Sequence, residues 1–157
     1  MTSSASEPLF IIGGGLMGLA IAHELAKNGR EVEILSRRRN EAAGFVAAGM
    51  LAPHAEGLTD NLFKLGKLSL EQIPKWIQTI EEDSEINCGL KHCGIVVPFN
   101  SEIERDQYPT AQFGQKLNRQ ELEAEVPGIA AEWITALLFD QDGQIDNRRQ
   151  LMRALEQ

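Results

Sequence analysis

Three glycines near the amino terminus have the spacing that binds a phosphate. Gly13, Gly15 and Gly18 form a G-x-G-x-x-G pattern directly after the apolar run 9–12 and directly before an alanine-rich helical pattern. In such a turn the first glycine permits a tight bend, the second lets the backbone approach a pyrophosphate, and the third lets the helix pack closely on the sheet. Because the free N–H groups of the helix face the anion, the pattern predicts a dinucleotide site.

The end of the second predicted strand bears on which dinucleotide binds. An acid usually holds the ribose hydroxyls there, but this chain has Ser36, followed by three arginines at 37–39. A small hydroxyl before arginines is typical of a site for the 2′-phosphate of NADP. A solvated charge run is the other interpretation, so FAD, NAD and NADP all stay open from these residues alone.

Residues 42–53 form a segment of low charge that is rich in alanine and glycine. Because surface loops are normally polar, we expect this one to lie against a flat apolar group such as a cofactor ring. A buried helix start with close packing is equally compatible with the pattern.

Other chemical groups are sparse. The sequence holds no Ser/His/Asp or Cys/His constellation, so we assign no catalytic residue and no metal site. His54 and Glu56 are the closely spaced polar pair of the candidate site, and they either approach a substrate or cap the next helix. The spacing of Cys88 and Cys93 fits neither a redox C-x-x-C motif nor a zinc site, which favours reduced structural thiols.

Composition limits the partners. The net charge of −8 over 157 residues argues against nucleic acid or an anionic membrane surface. No apolar run is long enough to span a bilayer, and residues 1–8 lack the features of a secretory signal. We therefore expect a cytoplasmic protein that begins with a short disordered lead-in.

The elements that must position these groups begin with a βαβ unit. Apolar runs predict a buried parallel strand over 9–13 and a second strand over 31–36, with a helix over 16–28 between them. His23 lies off the apolar stripe of that helix, so we expect it to be solvated.

An insertion follows, and its elements alternate between helix and strand. Helices are predicted over 61–82 and 102–112, and a short one opens at the N-cap Asn118, with Glu121 as its reciprocal acid, and stops before Pro127. The apolar stripe of the first includes Leu62, Leu65 and Leu68, and Pro74 should kink it or divide it in two. Trp76 is expected in the core.

Strands of the insertion are predicted over 90–99 and 133–139. Pro98 should end the first of them or place it at a sheet edge. A returning strand at 144–145 follows a turn at Asp142-Gly143. A last helix is capped by Asp146 or Asn147.

The order of elements predicts an α/β fold: a Rossmann-type unit with parallel strands, joined to part of an α+β substrate domain with antiparallel strands. Residues 1–59 and 144–157 would form the dinucleotide-binding domain, and residues 60–143 the substrate domain. An unfinished sheet edge would favour a homo-oligomer.

Two segments carry a resemblance to a known family. Residues 11–18 (Ile-Ile-Gly-Gly-Gly-Leu-Met-Gly) are followed by residues 46–56 (Val-Ala-Ala-Gly-Met-Leu-Ala-Pro-His-Ala-Glu), and the second segment is the more specific. Together they resemble the FAD-dependent amino-acid oxidase superfamily, and within it the glycine oxidases of thiamine (thiazole) biosynthesis. Residues 140–146 also resemble the segment where that family's chain returns from the substrate domain to the FAD domain.

The resemblance implies FAD as the cofactor. The residues implied at the pyrophosphate and its turn are Gly13, Gly15, Leu16, Met17 and Gly18. Those implied at the adenosine ribose are Ser36 and Arg37, and those near the pyrophosphate and ribityl chain are Ala43 and Gly44. Those implied at the flavin ring are Ala48, Gly49 and Met50. The implied substrate-side residues are Met50, His54 and Glu56.

The implied reaction is the oxidative deamination of glycine or a related small amino acid or amine, giving an imine and hydrogen peroxide. The resemblance spans nearly all of this chain but only about the first half of the family's usual length. We therefore expect the chain alone to be inactive or weakly active. Two alternatives are a nucleotide-binding module without its own redox activity, and an NADP-dependent reductase suggested by Ser36 and its arginines. Residues 48–50 disfavour the reductase.

Overall fold

The computed structural model describes residues 7–145 and 148–157. Two predictions, the lead-in as far as residue 6 and the cap at Asp146 or Asn147, lie outside the described residues. Within them the chain forms two units, one from 7–49, 77–89 and 148–157, the other from 50–76 and 90–145. The predicted assignment of one part to the dinucleotide and the other to the substrate stays a prediction.

The first unit contains the predicted βαβ arrangement. Strand β1 (Leu9–Ile12) and strand β2 (Val32–Leu35) pair in parallel, from Leu9 opposite Val32 to Ile12 opposite Leu35. Helix α1 (Leu16–Lys27) joins them. The Asn28 side chain ends the helix by donating to the Glu24 carbonyl at 2.7 Å, and Gly29 follows with φ at +74°. The α/β fold class with parallel and antiparallel sheets is therefore confirmed.

Strand β1 is not buried as expected. Ile12 is 89% exposed and Phe10 is 61% exposed. The parallel sheet has two strands in the described residues. The four-residue apolar run predicts a strand, but burial of that strand requires other elements to pack on the sheet. The prediction of a buried strand was wrong.

His23 is also placed differently from expectation. Its side chain is 13% exposed, its Nε2 lies 3.7 Å from the Asp83 carboxylate, and its Nδ1 is buried without a hydrogen-bond partner. The solvated position predicted from the apolar stripe was wrong, because Asp83 of the segment 77–84 in the same unit lies beside His23 and Lys27 of α1.

The second unit is built on two small antiparallel sheets. The first has the order β3-β8-β4, with β3 at Met50–Leu51, β4 at Leu90–Lys91 and β8 at Gly143–Ile145. The second has the order β5-β7-β6, with β5 at Ile95–Phe99, β6 at Gln115–Leu117 and β7 at Thr135–Phe139. Side chains from β5, β6 and β7 form the core of this unit.

Two strand predictions need correction. The single strand expected over 90–99 is two strands in different sheets, separated at Gly94, where φ is +68°. Strand β8 does not return along β7 but pairs with β3 and β4. Strand β6 was not predicted. The position of Pro98 is confirmed, since β5 lies at a sheet edge and a missing N–H costs little there.

Helix α2 (Asp60–Ser84) is continuous through Pro74, so the two-helix alternative was wrong. In the first half of this helix, the buried apolar stripe is displaced by one residue from the predicted one. Leu62, Leu65 and Leu68 are all more than half exposed, whereas Phe63 and Leu70 are half-buried. Closely spaced apolar residues allow more than one helical stripe, and the choice between them comes from packing rather than from spacing. Trp76 is half-buried instead of core.

The remaining helices are short. Helix α3 (Glu102–Asp106) is shorter than the predicted 102–112 and is followed by a 3-10 turn at Ala111–Phe113. Helix α4 (Arg119–Glu125) begins with the predicted capping box, in which Asn118 and Glu121 bond to each other's backbone N–H. Helix α5 (Arg148–Ala154) closes the described chain. None of the described helices is long and apolar enough to cross a membrane.

Candidate cofactor and substrate site

The turn after β1 has the backbone shape that the glycine pattern predicts. Gly13 has φ at +111°, a conformation that only glycine adopts without strain, and its N–H donates to the Leu35 carbonyl at 2.9 Å. A Cβ atom on Gly18 would lie 1.9 Å from the Gly13 carbonyl oxygen. Helix α1 therefore packs on the strand at a distance that no side chain at position 18 would allow.

Gly15 is open to the outside of the turn. A Cβ atom there would meet only the Ala42 Cβ, at 3.8 Å, so the space beside this backbone is free for another group. No side chain hydrogen-bonds to this end of α1 within the described residues, and its first turn carries no acid. The first N–H groups of the 12-residue helix are thus unsatisfied and carry a partial positive charge, which fits a pyrophosphate.

Ser36 lies beside this turn. It is exposed, and a Cβ atom on Gly14 would be 2.9 Å from the Ser36 Cβ. Arg37 bonds to Glu41 at 2.6 Å, and Arg38 lies 3.6 Å from the same carboxylate. Since Glu41 offsets the positive charge of both arginines, the end of β2 is a weaker site for a 2′-phosphate than the sequence suggested.

A 3-10 turn at Arg39–Glu41 precedes the small-residue segment, which forms a second one at Ala43–Phe45 before it enters β3. Gly44 allows close packing of α5, because a Cβ atom there would be 2.6 Å from the buried Met152 Sδ. Ala43 and Ala48 are exposed, and Gly49 has φ at +84°. A buried helix start is therefore not what forms, and contact of this segment with a flavin stays a prediction.

A cavity of about 190 Å³ opens in the second unit between β3 and the first half of α2. Met50 and Glu56 both line it, with Leu70 and Ile73 of α2. A Cβ atom on Gly66 would be 2.7 Å from the Pro53 Cβ, so this glycine lets α2 approach the loop. The structure thus brings two of the three substrate-side candidates to one cavity.

His54 has a different environment from Glu56. Its ring is 3% exposed and packs edge-on against Phe63, with ring centroids 5.1 Å apart. Its Nδ1 lies 2.6 Å from Asp142 Oδ1, and Asp142 Oδ2 accepts from the Ala55 N–H at 2.7 Å. An approach of His54 to the substrate stays a prediction.

Asp142 is the residue that sequence reasoning missed. It is completely buried, yet the sequence presented it only as part of an Asp-Gly turn signal. The one available signal was its place in the segment 140–146 that resembles the oxidase family. A hydrogen-bond partner so distant in sequence leaves no local pattern.

Two further bonds fix the segment that carries Glu56. Thr110 donates to the His54 carbonyl at 2.6 Å, and the Tyr108 hydroxyl donates to the Ala55 carbonyl at 2.7 Å. Burial, and then the charge of Glu56, raise the pKa of Tyr108 above its usual value, so the phenol keeps its proton. The backbone before Glu56 is therefore held on both sides.

Comparison with known proteins adds the family. Residues 9–157 match the family model described as DAO, FAD dependent oxidoreductase. The bifunctional protein ThiO/ThiG of Synechocystis is 34% identical over 155 residues, which are 97% of this chain and 23% of that protein. The glycine oxidase of Geobacillus kaustophilus is 31% identical over 147 residues, which are 86% of this chain and 39% of that enzyme.

Solved structures agree in fold. The crystal structure of the Geobacillus kaustophilus glycine oxidase superposes with a TM-score of 0.83 and 29% identity, over 94% of this chain and 42% of that one. The Bacillus cereus glycine oxidase, at 23% identity and a TM-score of 0.78, shows the same fold. The chain thus spans about a quarter of the bifunctional relatives and about two fifths of the glycine oxidases.

Proposed function

Because the chain belongs to the DAO family of FAD-dependent oxidoreductases, we propose that it supplies the pyrophosphate-binding part of an FAD site in an enzyme that oxidises glycine or a related small amino acid or amine. The observation that carries this proposal is the open glycine turn. Gly15 leaves free space beside the unsatisfied N–H groups of α1, and Gly18 holds that helix against the strand.

The chain's own residues would bind and orient the cofactor. The backbone at Gly13, Gly15, Leu16 and Met17 would hold the pyrophosphate, and Ser36 with Arg37 would meet the adenosine ribose. Ala43 and Gly44 would lie along the pyrophosphate and ribityl chain, and Ala48, Gly49 and Met50 beside the flavin. When bound, the flavin would supply the redox chemistry for oxidation at the α-carbon of the substrate.

Ser36 lowers the expected affinity without excluding FAD. A serine cannot form the paired hydrogen bonds by which an acid holds two ribose hydroxyls. One lost charged hydrogen bond is worth roughly 1.5–3 kcal/mol, a fraction of the binding free energy of a large cofactor.

Glu56 is the substrate-side residue that the geometry favours. It lines the cavity with Met50, and its carboxylate would attract the ammonium group of an amino acid. His54, by contrast, is bonded to Asp142 and would contribute by holding the backbone before Glu56.

The wider setting is part of the same proposal. We propose that the enzyme serves in making the thiazole of thiamine, as the resemblance of residues 11–18 and 46–56 implies, and that it does so in the cytoplasm. The exposed side chains of Phe10 and Ile12 would favour a homo-oligomer.

A second candidate is a nucleotide-binding module without redox activity of its own, which the open glycine turn at the start of α1 would serve equally well. We accordingly expect little or no hydrogen peroxide from glycine with the 157-residue chain alone. Rapid peroxide release would rule out the module.

Purification tests the cofactor directly. We expect yellow protein whose released cofactor is FAD, and we expect Gly15→Val to lose it because the side chain fills the phosphate approach. Unchanged FAD content in that variant would refute the site assignment. Colourless protein that binds NADP in a titration would instead support a reductase.

A further inference from the structure

A second cavity of about 300 Å³ lies in the unit that contains Glu56, and neither Met50 nor Glu56 lines it. It is bordered by His54, Lys67, Leu70, Glu71, Phe113 and Gln141. The lining therefore combines one cation, one carboxylate, an imidazole, an amide and an apolar wall. We propose that this cavity is a second site, separate from the oxidase site, for a free amino acid with an apolar side chain.

His54 borders this space, and its buried imidazole has one nitrogen without a hydrogen-bond partner among the described residues. Its Nδ1 is occupied by Asp142 at 2.6 Å, and no hydrogen bond to Nε2 occurs within residues 7–145 and 148–157. Among those residues the only buried side-chain nitrogen or oxygen without a partner is Nδ1 of His23. His54 Nε2 is therefore not shut off from solvent, and the cavity is the space that its ring borders.

In the neutral ring, the bond to Asp142 leaves Nε2 as an acceptor. Asp142 already accepts the Ala55 N–H through its other oxygen, and a carboxylate that accepts in this way takes the Nδ1 proton as a second hydrogen bond. A neutral imidazole with its proton on Nδ1 accepts through Nε2. An ammonium group is the ligand that such an atom can bind.

Glu71 and Gln141 add acceptors. Gln141 uses its Nε2 to donate to the Phe113 carbonyl at 3.3 Å, which leaves the amide oxygen available. Glu71 stands one helical turn after Lys67, yet the ion pairs found among the described residues include none between these two side chains. The cavity thus offers a carboxylate and an amide oxygen in addition to the imidazole.

Lys67 supplies the opposite charge. Its Nζ lies 6.0 Å from the centroid of the Phe63 ring and 5.9 Å from that of Phe113, and it has no carboxylate partner in the described part of the chain. A cation held by two ring faces and lacking a counter-ion can bind a carboxylate. Acceptors for an ammonium group and a donor for a carboxylate are the two requirements of a zwitterion.

Leu70 and Phe113 favour a ligand whose side chain is apolar. Both border the cavity, and Phe113 is 40% exposed, so it offers an apolar surface to a side chain. A cavity of about 300 Å³ has room for an amino acid of the size of leucine.

The test is a titration of the 157-residue chain with L-leucine. Binding is monitored by the ¹⁵N NMR chemical shift of His54 Nε2. We expect a saturable shift, and binding weaker by at least about tenfold for leucinamide and for 4-methylpentanoate, because each lacks one charge. Lys67→Met should weaken leucine binding by a similar factor. The matched control Lys64→Met, on the same helix but outside the cavity, should leave it unchanged.

Two results would overturn the proposal. One is the absence of any saturable His54 shift with leucine. The other is a Lys67→Met variant that shows the wild-type circular dichroism spectrum and still binds leucine as well as the Lys64→Met control. Neither result depends on whether the chain retains FAD.

Discussion

Asp142 and His54 are 88 positions apart in the chain, and their side chains meet at 2.6 Å inside the second unit. Both are almost fully buried. Because the second oxygen of Asp142 accepts the Ala55 N–H at 2.7 Å, one carboxylate fixes both a side chain and the backbone next to it. Glu56 follows directly, so its position depends on this bond.

The first prediction concerns Asp142. Asp142→Ala would leave His54 Nδ1 and the Ala55 N–H buried without an acceptor, which should cost about 3–5 kcal/mol of unfolding free energy. Asp142→Asn should cost less, because its amide oxygen can still accept one of the two bonds. Urea unfolding measures both, and the exposed Asp140→Asn serves as control. Equal stability of Asp142→Ala and Asp140→Asn would contradict the assignment.

The second prediction separates two glycines of the same turn. Gly18→Ala would place a Cβ atom 1.9 Å from a backbone oxygen, so it should lower the melting temperature markedly. Gly15→Ala meets only the Ala42 Cβ at 3.8 Å and should leave the melting temperature nearly unchanged. Differential scanning fluorimetry without added cofactor makes the comparison. The prediction fails if Gly15→Ala proves the more destabilised of the two.

The third prediction concerns acid stability. Hydrogen bonds from Arg105 and then from Lys116 lower the pKa of Asp106 to about 2. The unfolded carboxyl, with a pKa near 3.9, binds more protons between these values, so Asp106 stabilises the fold above about pH 4 and loses this effect as the pH falls towards 2. Asp106→Asn should flatten the dependence of unfolding free energy on pH in that window.

Urea unfolding between pH 2 and pH 5 makes this measurement. Glu104→Gln, on the same helix, is the control and should keep the wild-type slope. A wild-type slope in Asp106→Asn would show that the ion pairs with Arg105 and Lys116 do not form in solution.

The fourth prediction concerns the two thiols. Burial, and then the charge of Glu81, raise the pKa of Cys88 to about 11, whereas Cys93 is exposed. Since the thiolate is the reactive form, a disulfide reagent at pH 8 should label Cys93 rapidly and Cys88 only after unfolding. Cys93→Ser should abolish the rapid phase. Two thiols reacting at equal rates in the folded protein would contradict the burial of Cys88.

The parts of the fold that depend on neighbouring residues could be predicted from the sequence. The capping box of Asn118 and Glu121 joins groups three positions apart, and the turn at Gly13 depends on one residue's backbone freedom. Both follow from local chemistry, and the structure shows both.

The parts of the fold that depend on residues distant in the sequence could not be predicted from it. The exposure of Ile12 is set by what covers β1, and the burial of His23 by the passage of residues 77–84 beside α1. Similarly, the spacing of the leucines on α2 is satisfied by more than one face, and only packing selects Phe63 and Leu70 over Leu62 and Leu65. For the same reason the bond between Asp142 and His54 could not be predicted from the sequence.

Strand β8 lies at the centre of its sheet although the ribosome makes it after the other two strands, β3 and β4. Met50 pairs with Gln144 on one side of it, and Leu90 pairs with Ile145 on the other. During synthesis, β3 and β4 therefore emerge without a neighbour and wait for residues 143–145 before either can form its hydrogen bonds. This sheet can be completed only after residues 143–145 have been made, so a pause or release before residue 143 would leave both earlier strands unpaired.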